Sequence, residues 1–299
     1  MGIALAFLSG LSFALGNIVA KIALDQSTIR YSLWITSFVN FAVFGLVELV
    51  YRQVASDPAP INGEGFLYFL MAGLLTTYLG RKTLYISFQY IGPSRGSAIK
   101  NSSPIFTLLV AFFIFNESIS FYSAIGVGIV LGGILLQAVI LFQENGKSDQ
   151  NVWRGYLVAV ICAICFGVGL AVRGPGMEEI PDPYFGAFMS GVVTLFFATA
   201  EEVNRYGVCN FFSFLKNCAK RENGLFIVAG LCTSIGVGTF FLALQFLEVA
   251  LVSTIAAIDP ILTILLSVII LKRAENITRW TVLSAVVVLL GVAFIMMGE

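Results

Sequence analysis

Long apolar runs alternate with short polar breaks along the whole chain. The runs fall at 2–24, 29–51, 66–91, 95–116, 120–142, 153–173, 183–204, 224–246, 249–271 and 277–297. Each is close to the ~20 residues that a helix needs to cross a bilayer core about 30 Å thick. The breaks carry turn chemistry. Asp57-Pro58-Ala59-Pro60 parts the second run from the third, and Gly92-Pro93-Ser94 parts the third from the fourth. A polar stretch at 143–151 follows the fifth, and Pro181-Asp182-Pro183 opens the seventh. Runs of this length do not fit a transmembrane β-barrel, whose strands alternate over about ten residues. Backbone groups in lipid must be bonded within the segment, so the runs predict helices. The first run lacks a basic flank and is too long for a signal-peptide core, so it reads as a span. The expectation is an all-α membrane protein with ten transmembrane helices.

The pattern repeats. With a shift of 156, residues 72–117 and 228–273 share twelve of 46 positions, among them Thr77/Thr233, Gly80/Gly236, Gln89/Gln245, Ser97/Ser253 and Pro104/Pro260. Shared apolar composition explains paired Leu and Ile, but not paired Pro, Gln and Gly. A shift of 153 aligns the first and sixth runs through Phe13/Phe166 and Gly16/Gly169, and a shift of 158 pairs Glu117 with Glu275. The chain therefore reads as a first five-helix repeat at 1–142, a linker at 143–152 and a second repeat at 153–299. Five is odd, so the second repeat enters the bilayer from the opposite side. Inverted repeats of this kind recur in secondary transporters, with a substrate site near the midplane where the halves meet.

Composition narrows the classes further. Of the 299 residues 58% are hydrophobic and 11% charged, against roughly 25% charged in soluble domains. That excludes a soluble enzyme and a disordered chain. Lys plus Arg and Asp plus Glu balance at 17 each, so no basic surface recruits nucleic acid. Histidine is absent, which removes His metal ligands, a Ser-His-Asp triad and a His proton switch. No residue pattern calls for a cofactor or a metal. Cys162 and Cys165 form a CxxC inside the sixth run and read as small buried apolar residues.

One motif occurs twice. Ser97-Ala98-Ile99 leads to Pro104 and then to Asn116-Glu117; Ser253-Thr254-Ile255 leads to Pro260. In the second copy the acid departs from the pattern, because Arg273 stands 13 after Pro260 and Glu275 two later. With these motifs the chain resembles the drug/metabolite transporter superfamily, in its ten-helix EamA-type branch. The resemblance implies a multi-pass protein of the plasma (inner) membrane that moves small organic solutes such as amino acids, often outward. It does not single out one solute.

Ionisable residues inside a membrane are costly and are functional candidates by default. Lys21, Arg81, Lys82 and Lys100 fall within the runs, as does Asp259. Lys21 is near a helix end and can snorkel. Arg81 and Lys82 are mid-run, so at least one should face a cavity. Asp259 precedes Pro260, which frees a carbonyl and kinks a helix. It could meet a substrate ammonium, carry a proton, or pair with Lys100 or Arg81. Asn101, Ser102 and Ser103 form a polar cluster beside Pro104. Cations with one carboxylate suit a zwitterion or an anion, since Arg clamps a carboxylate through two hydrogen bonds. The candidate substrate residues are Arg81, Lys82, Lys100, Asn101, Ser103 and Asp259, with Asn17, Tyr78, Tyr85, Gln89 and Gln245 behind them. Trp34 and Thr233 are weaker. Gly128 and Gly132 predict close helix packing, and Glu117 a helix-terminus partner. The small multidrug transporters of the same superfamily use an acid in the first helix. Here that helix has Asn17 and Lys21 instead, which disfavours export of cationic drugs.

Loops after odd-numbered runs carry eleven basic residues and the other side carries two, Arg52 and Arg173. The positive-inside rule then places both termini outside, whereas the resemblance implies cytoplasmic termini. Residues 207–222, with Phe211, Phe212 and Phe214 beside Lys216, Lys220 and Arg221, read as an interfacial amphipathic segment. The functional expectation is a secondary transporter, an exporter of a small organic metabolite such as an amino acid. Its partners are that substrate, membrane lipid and a coupling proton, with room for a homo-oligomer. The alternatives are an exchanger of phosphorylated or nucleotide-linked sugars, motivated by Arg81, Lys82 and Lys100, and a channel or scaffold without turnover. An intramembrane enzyme lacks the residues it would need.

Overall fold

The computed structural model describes residues 1–24, 27–54, 59–91, 96, 99–116, 120–143 and 150–259, and positions 262, 266, 283, 286, 287, 290, 291 and 294. Among the described residues all regular structure is helical. The elements are α1 (Gly2–Leu24), α2 (Ile29–Val54), α3 (Gly63–Ala72), a π-helical stretch (Gly73–Gly80), α4 (Arg81–Ile91), α5 (Ser103–Phe113) and α6 (Phe121–Gln143). Then come α7 (Gln150–Ala171), α8 (Arg173–Glu179), α9 (Pro183–Tyr206), α10 (Val208–Cys218), a 3-10 turn (Arg221–Asn223), α11 (Gly224–Ala243) and α12 (Val249–Ala256). Five helical stretches among the described residues are long and apolar enough to cross a bilayer: Gly2–Leu24, Ile29–Val54, Trp153–Glu179, Pro183–Tyr206 and Arg221–Ala243. Most of the last two expected spans, with Glu117 and the side chain of Lys21, lies outside the described residues.

Local chemistry sets the ends. Asn62 caps α3, its Oδ1 accepting from the Gly65 N–H at 2.8 Å, while its amide donates to the Glu179 carboxylate at 2.6 Å and ties α3 to α8. Asp182 caps α9, accepting from the N–H groups of Tyr184 and Phe185 at 3.0 Å, and Pro183 fills the first helical turn, where no N–H is missed. Gly207, at φ 82°, ends α9 in a conformation that favours glycine.

Four expected runs differ from uninterrupted spans. The third begins earlier, at Gly63, and its centre is π-helical over Gly73–Gly80. The fourth is broken by a turn at Asn101–Ser102 and the ninth by a turn at Ala257–Ile258. Each break lies just ahead of a proline in the sequence, which lacks the N–H needed to continue the ladder. At the first break the Ser102 N–H reaches back three residues, to Ile99 O at 2.9 Å, and the Ser102 hydroxyl donates to the same carbonyl at 2.7 Å. The sixth run extends beyond 173: after a single turn residue, Val172, it continues as α8, making the 27-residue stretch Trp153–Glu179. Pro175 is tolerated because it lies in the first turn of α8, where N–H groups have no intrahelical partner.

Small residues bring the helices together, as membrane packing requires. A Cβ on Gly236 of α11 would lie 2.9 Å from the Phe13 ring of α1, and one on Gly10 would lie 2.8 Å from the Ala256 carbonyl. The Ser9 hydroxyl donates to Gly236 O at 2.8 Å across the same seam. A Cβ on Gly128 or Gly132 would meet no described atom within 4 Å, and most of the last two expected spans lies outside the described residues. Close approach to α6 occurs one face over, where Gly291 abuts Val130 and the Gly126 carbonyl. Outside, Phe113, Leu46 and Phe196 are 72%, 67% and 66% exposed, a surface that suits lipid and not water. Inside, Phe69, Phe226, Phe240 and Phe241 are fully buried.

Candidate functional site

The two broken helices and the π-helical stretch border an internal cavity of about 80 Å³, measured as the space open to the centre of a water-sized sphere. That holds several waters or a small solute, since one water needs roughly 10–15 Å³ by this measure. Phe13, Phe166, Leu170, Val237 and Phe240 supply apolar walls. The polar lining includes Asn17, Arg81, Tyr85, Lys100, Asn101, Ser103, Thr233 and Asp259, all anticipated from the sequence, together with Thr36, Thr76, Thr77 and Arg173.

The helix breaks deliver one ion pair. The carboxylate of Asp259, 2% exposed, accepts from Lys100 Nζ at 3.3 Å and from Asn17 Nδ2 at 3.3 Å. Lys100 also donates to Asn101 Oδ1 at 2.9 Å and sits 5.3 Å from the centre of the Phe166 ring. A buried carboxylate demands such partners, because desolvating an unpaired charge costs several kcal/mol. Of the two partners open to Asp259, Lys100 is the one that meets it.

Two buried arginines project from other elements. Arg81, first residue of α4, donates from Nη1 to Thr36 Oγ1 at 3.2 Å. Arg173, first residue of α8, is 2% exposed and donates from Nη2 to Thr76 Oγ1 at 3.0 Å. Its guanidinium carbon lies 4.7 Å and 5.0 Å from the ring centres of Phe241 and Phe240, a cation–π arrangement. Its Nε is buried without a hydrogen-bond partner. Sequence reading ended the sixth run at Arg173 and counted that residue among the basic residues outside the membrane; the helical stretch continues through Gly174-Pro175-Gly176 and carries the cation inside.

Four candidates lie elsewhere. Lys82 Nζ bonds both carboxylate oxygens of Glu201 at 2.7 Å, and the Tyr78 hydroxyl donates to the same carboxylate at 2.8 Å. Arg205 reaches Glu201 at 3.4 Å. Arg81 and Lys82 diverge because consecutive helical residues point about 100° apart. Tyr78 and Lys82 share one face, while Arg81 and Tyr85 share the face toward the cavity, each pair spaced i, i+4. Gln89 and Gln245 are exposed. Trp34 donates from Nε1 to Thr199 Oγ1 at 3.1 Å and does not line the cavity. The CxxC thiols are free, and Cys162 donates to Gly80 O at 3.3 Å. A second charged cluster lies away from the cavity: Arg52 pairs with Glu48 and with Asp182.

A multi-pass membrane protein with a charged cavity between broken helices is the architecture of a solute carrier. The chain belongs to the EamA-like transporter family, whose profile matches residues 1–139 and 153–297. It is 27% identical over 158 residues to the uncharacterized transporter YcxC of Bacillus subtilis (strain 168), covering 50% of this chain and 49% of that protein. It is 24% identical over 198 residues to the uncharacterized transporter sll1319 of Synechocystis sp., covering 53% and 57%. The chain thus spans about half the length of these curated relatives. A solved crystal structure shares the fold with a TM-score of 0.69 at 15% identity, covering 98% of this chain and 96% of that one. The matched family is one of transporters, a class that generally does no enzymatic chemistry.

Proposed function

We propose that the protein is a secondary transporter of a small organic metabolite bearing a carboxylate, an amino acid or a relative of one, moved outward by alternating access. One observation carries this: the cavity lining falls into pairs of positions separated by the repeat shifts. Phe13 and Phe166 are 153 apart, as are Ala20 and Arg173; Thr77 and Thr233, Arg81 and Val237, Leu84 and Phe240, and Ser103 and Asp259 are 156 apart. The two helix breaks obey the same shift. Such pairing supports two inverted five-helix repeats, at 1–142 and 153–299, that enclose the site and exchange conformations to change the open side. The charges do not repeat: the partners of Arg81, Arg173, Lys100 and Asp259 are uncharged, so the substrate's polarity is read by one member of each pair. Cations with a single acid favour a carboxylate-bearing solute over a cationic drug.

The test is counterflow in proteoliposomes. Preloaded amino acids and organic acids, offered one at a time, should accelerate uptake of the labelled solute. Arg81→Met should lower the initial rate at least tenfold while the protein remains monodisperse. Uptake through the protein without any trans-acceleration would mean a channel and would refute the reading.

A further inference from the structure

The cavity carries an uncompensated charge. Lys100 and Asp259 satisfy one another. Arg81 and Arg173, both under 10% exposed, have no carboxylate partner among the described residues. Both line the same cavity. Two buried guanidiniums on different helices, facing one cavity, are costly unless something anionic joins them. Each spends one donor on a threonine, Thr36 or Thr76, and leaves the rest of its five N–H groups for another acceptor. The buried, unpartnered Nε of Arg173 marks one such donor. Between the polar side chains Leu84, Phe166 and Val237 add hydrocarbon wall, which suits a carbon skeleton better than a bare inorganic anion.

Resting on the transporter reading above, we propose that the substrate is a small aliphatic dicarboxylate, with one carboxylate held by Arg81 and the other by Arg173. Planar guanidiniums accept carboxylates through paired hydrogen bonds. Two of them on separate elements, α4 and α8, offer two such clamps to one solute. A zwitterion would add an ammonium to a site that already holds a surplus of positive charge. A monocarboxylate would leave one arginine unanswered.

The experiment uses the full-length protein with succinate, glutarate, butyrate, alanine and glycerol 3-phosphate as probes at constant ionic strength. Two readouts run in parallel: thermal stabilisation of purified protein, which does not need transport, and counterflow in proteoliposomes. The expected result is half-saturation by succinate or glutarate at a concentration at least tenfold below that for butyrate or alanine. R173Q should erase that ratio, bringing dicarboxylate and monocarboxylate to similar half-saturation; R173K should restore part of it. A variant that merely loosened the fold would weaken all probes alike and keep the ratio, which would overturn the assignment. So would absence of stabilisation by both dicarboxylates, tighter binding of alanine, or tighter binding of glycerol 3-phosphate. Dicarboxylate binding without counterflow would instead overturn the transport reading and leave the site standing. Counterflow of alanine that R173Q does not change would overturn the dicarboxylate and leave transport standing.

Discussion

The Lys100–Asp259 pair joins the two broken helices, and its removal has a calculable effect. The side chains are 17% and 3% exposed and their charged atoms 3.3 Å apart. Removing one partner of a buried pair typically costs about 3–5 kcal/mol, because the other charge stays desolvated. Asp259→Asn should fall near the low end, about 3 kcal/mol, since Lys100 keeps its bond to Asn101 Oδ1 and borders the cavity. Lys100→Met keeps the length of the stem and strands the carboxylate instead. The double variant removes both charges, and a buried pair replaced by neutral groups is often close to neutral in stability. The double loss should therefore be smaller than the sum of the singles by at least about 3 kcal/mol, at the top of the range for residues in contact. Equilibrium unfolding in mixed detergent micelles measures all four proteins. A coupling energy within 0.5 kcal/mol of zero, on the order of the additivity error for independent sites, would show that the pair holds nothing together.

Three other outcomes are expected. Glu201→Gln should destabilise the fold by about 1–2 kcal/mol through loss of the Lys82 and Tyr78 bonds. In the transport assay Lys82→Met should keep at least half the wild-type rate where Arg81→Met does not; equal losses would place Lys82 in the site. Gly10→Val should cost about 1–3 kcal/mol by overpacking, since its Cβ would lie 2.8 Å from the Ala256 carbonyl, while Gly224→Ala, with no atom within 4 Å, should not lower the melting temperature. Cys209 is exposed on α10, and burial together with the nearby Glu202 charge pushes the Cys218 thiol up to about 12. At pH 8 only ~10⁻⁴ of Cys218 is then thiolate, the reactive form, so maleimide should label Cys209 first and Cys218 faster as pH rises. If the positive-inside rule holds, α10 is cytoplasmic, and an impermeant maleimide on intact cells should leave Cys209 unlabelled; prompt labelling would put this face outside.

Much of the site was legible in the sequence because membranes make charges conspicuous. Arg81, Lys100, Asn101, Ser103, Asp259 and Asn17 stand out against apolar runs, and all of them line the cavity. Arg173 was missed because the apolar run ends at it, although the helix continues to Glu179. Lys82 was indistinguishable from Arg81 by depth, and only rotation about the helix axis separates them. The breaks at 101–102 and 257–258 were foreshadowed by Pro104 and Pro260, but a proline alone does not distinguish a kink from a turn.

Crossing a bilayer depends on length and hydropathy, which are properties of a linear string, and so is a repeat with a constant shift. The sequence by itself therefore determined the membrane class, the family motif and three of the cavity's charges, Arg81, Lys100 and Asp259. Which charges meet is a property of three dimensions. Asp259 reaches Lys100, 159 residues away, and Lys82 reaches Glu201, 119 residues away. Arg173 meets Thr76, 97 residues away. These pairings depend on helix rotation, on the breaks that aim the side chains and on glycine contacts that set the spacing. Only the tertiary structure left Arg81 and Arg173 facing one cavity without a described acid beside them, because a charge becomes unanswered only once every neighbour has a place.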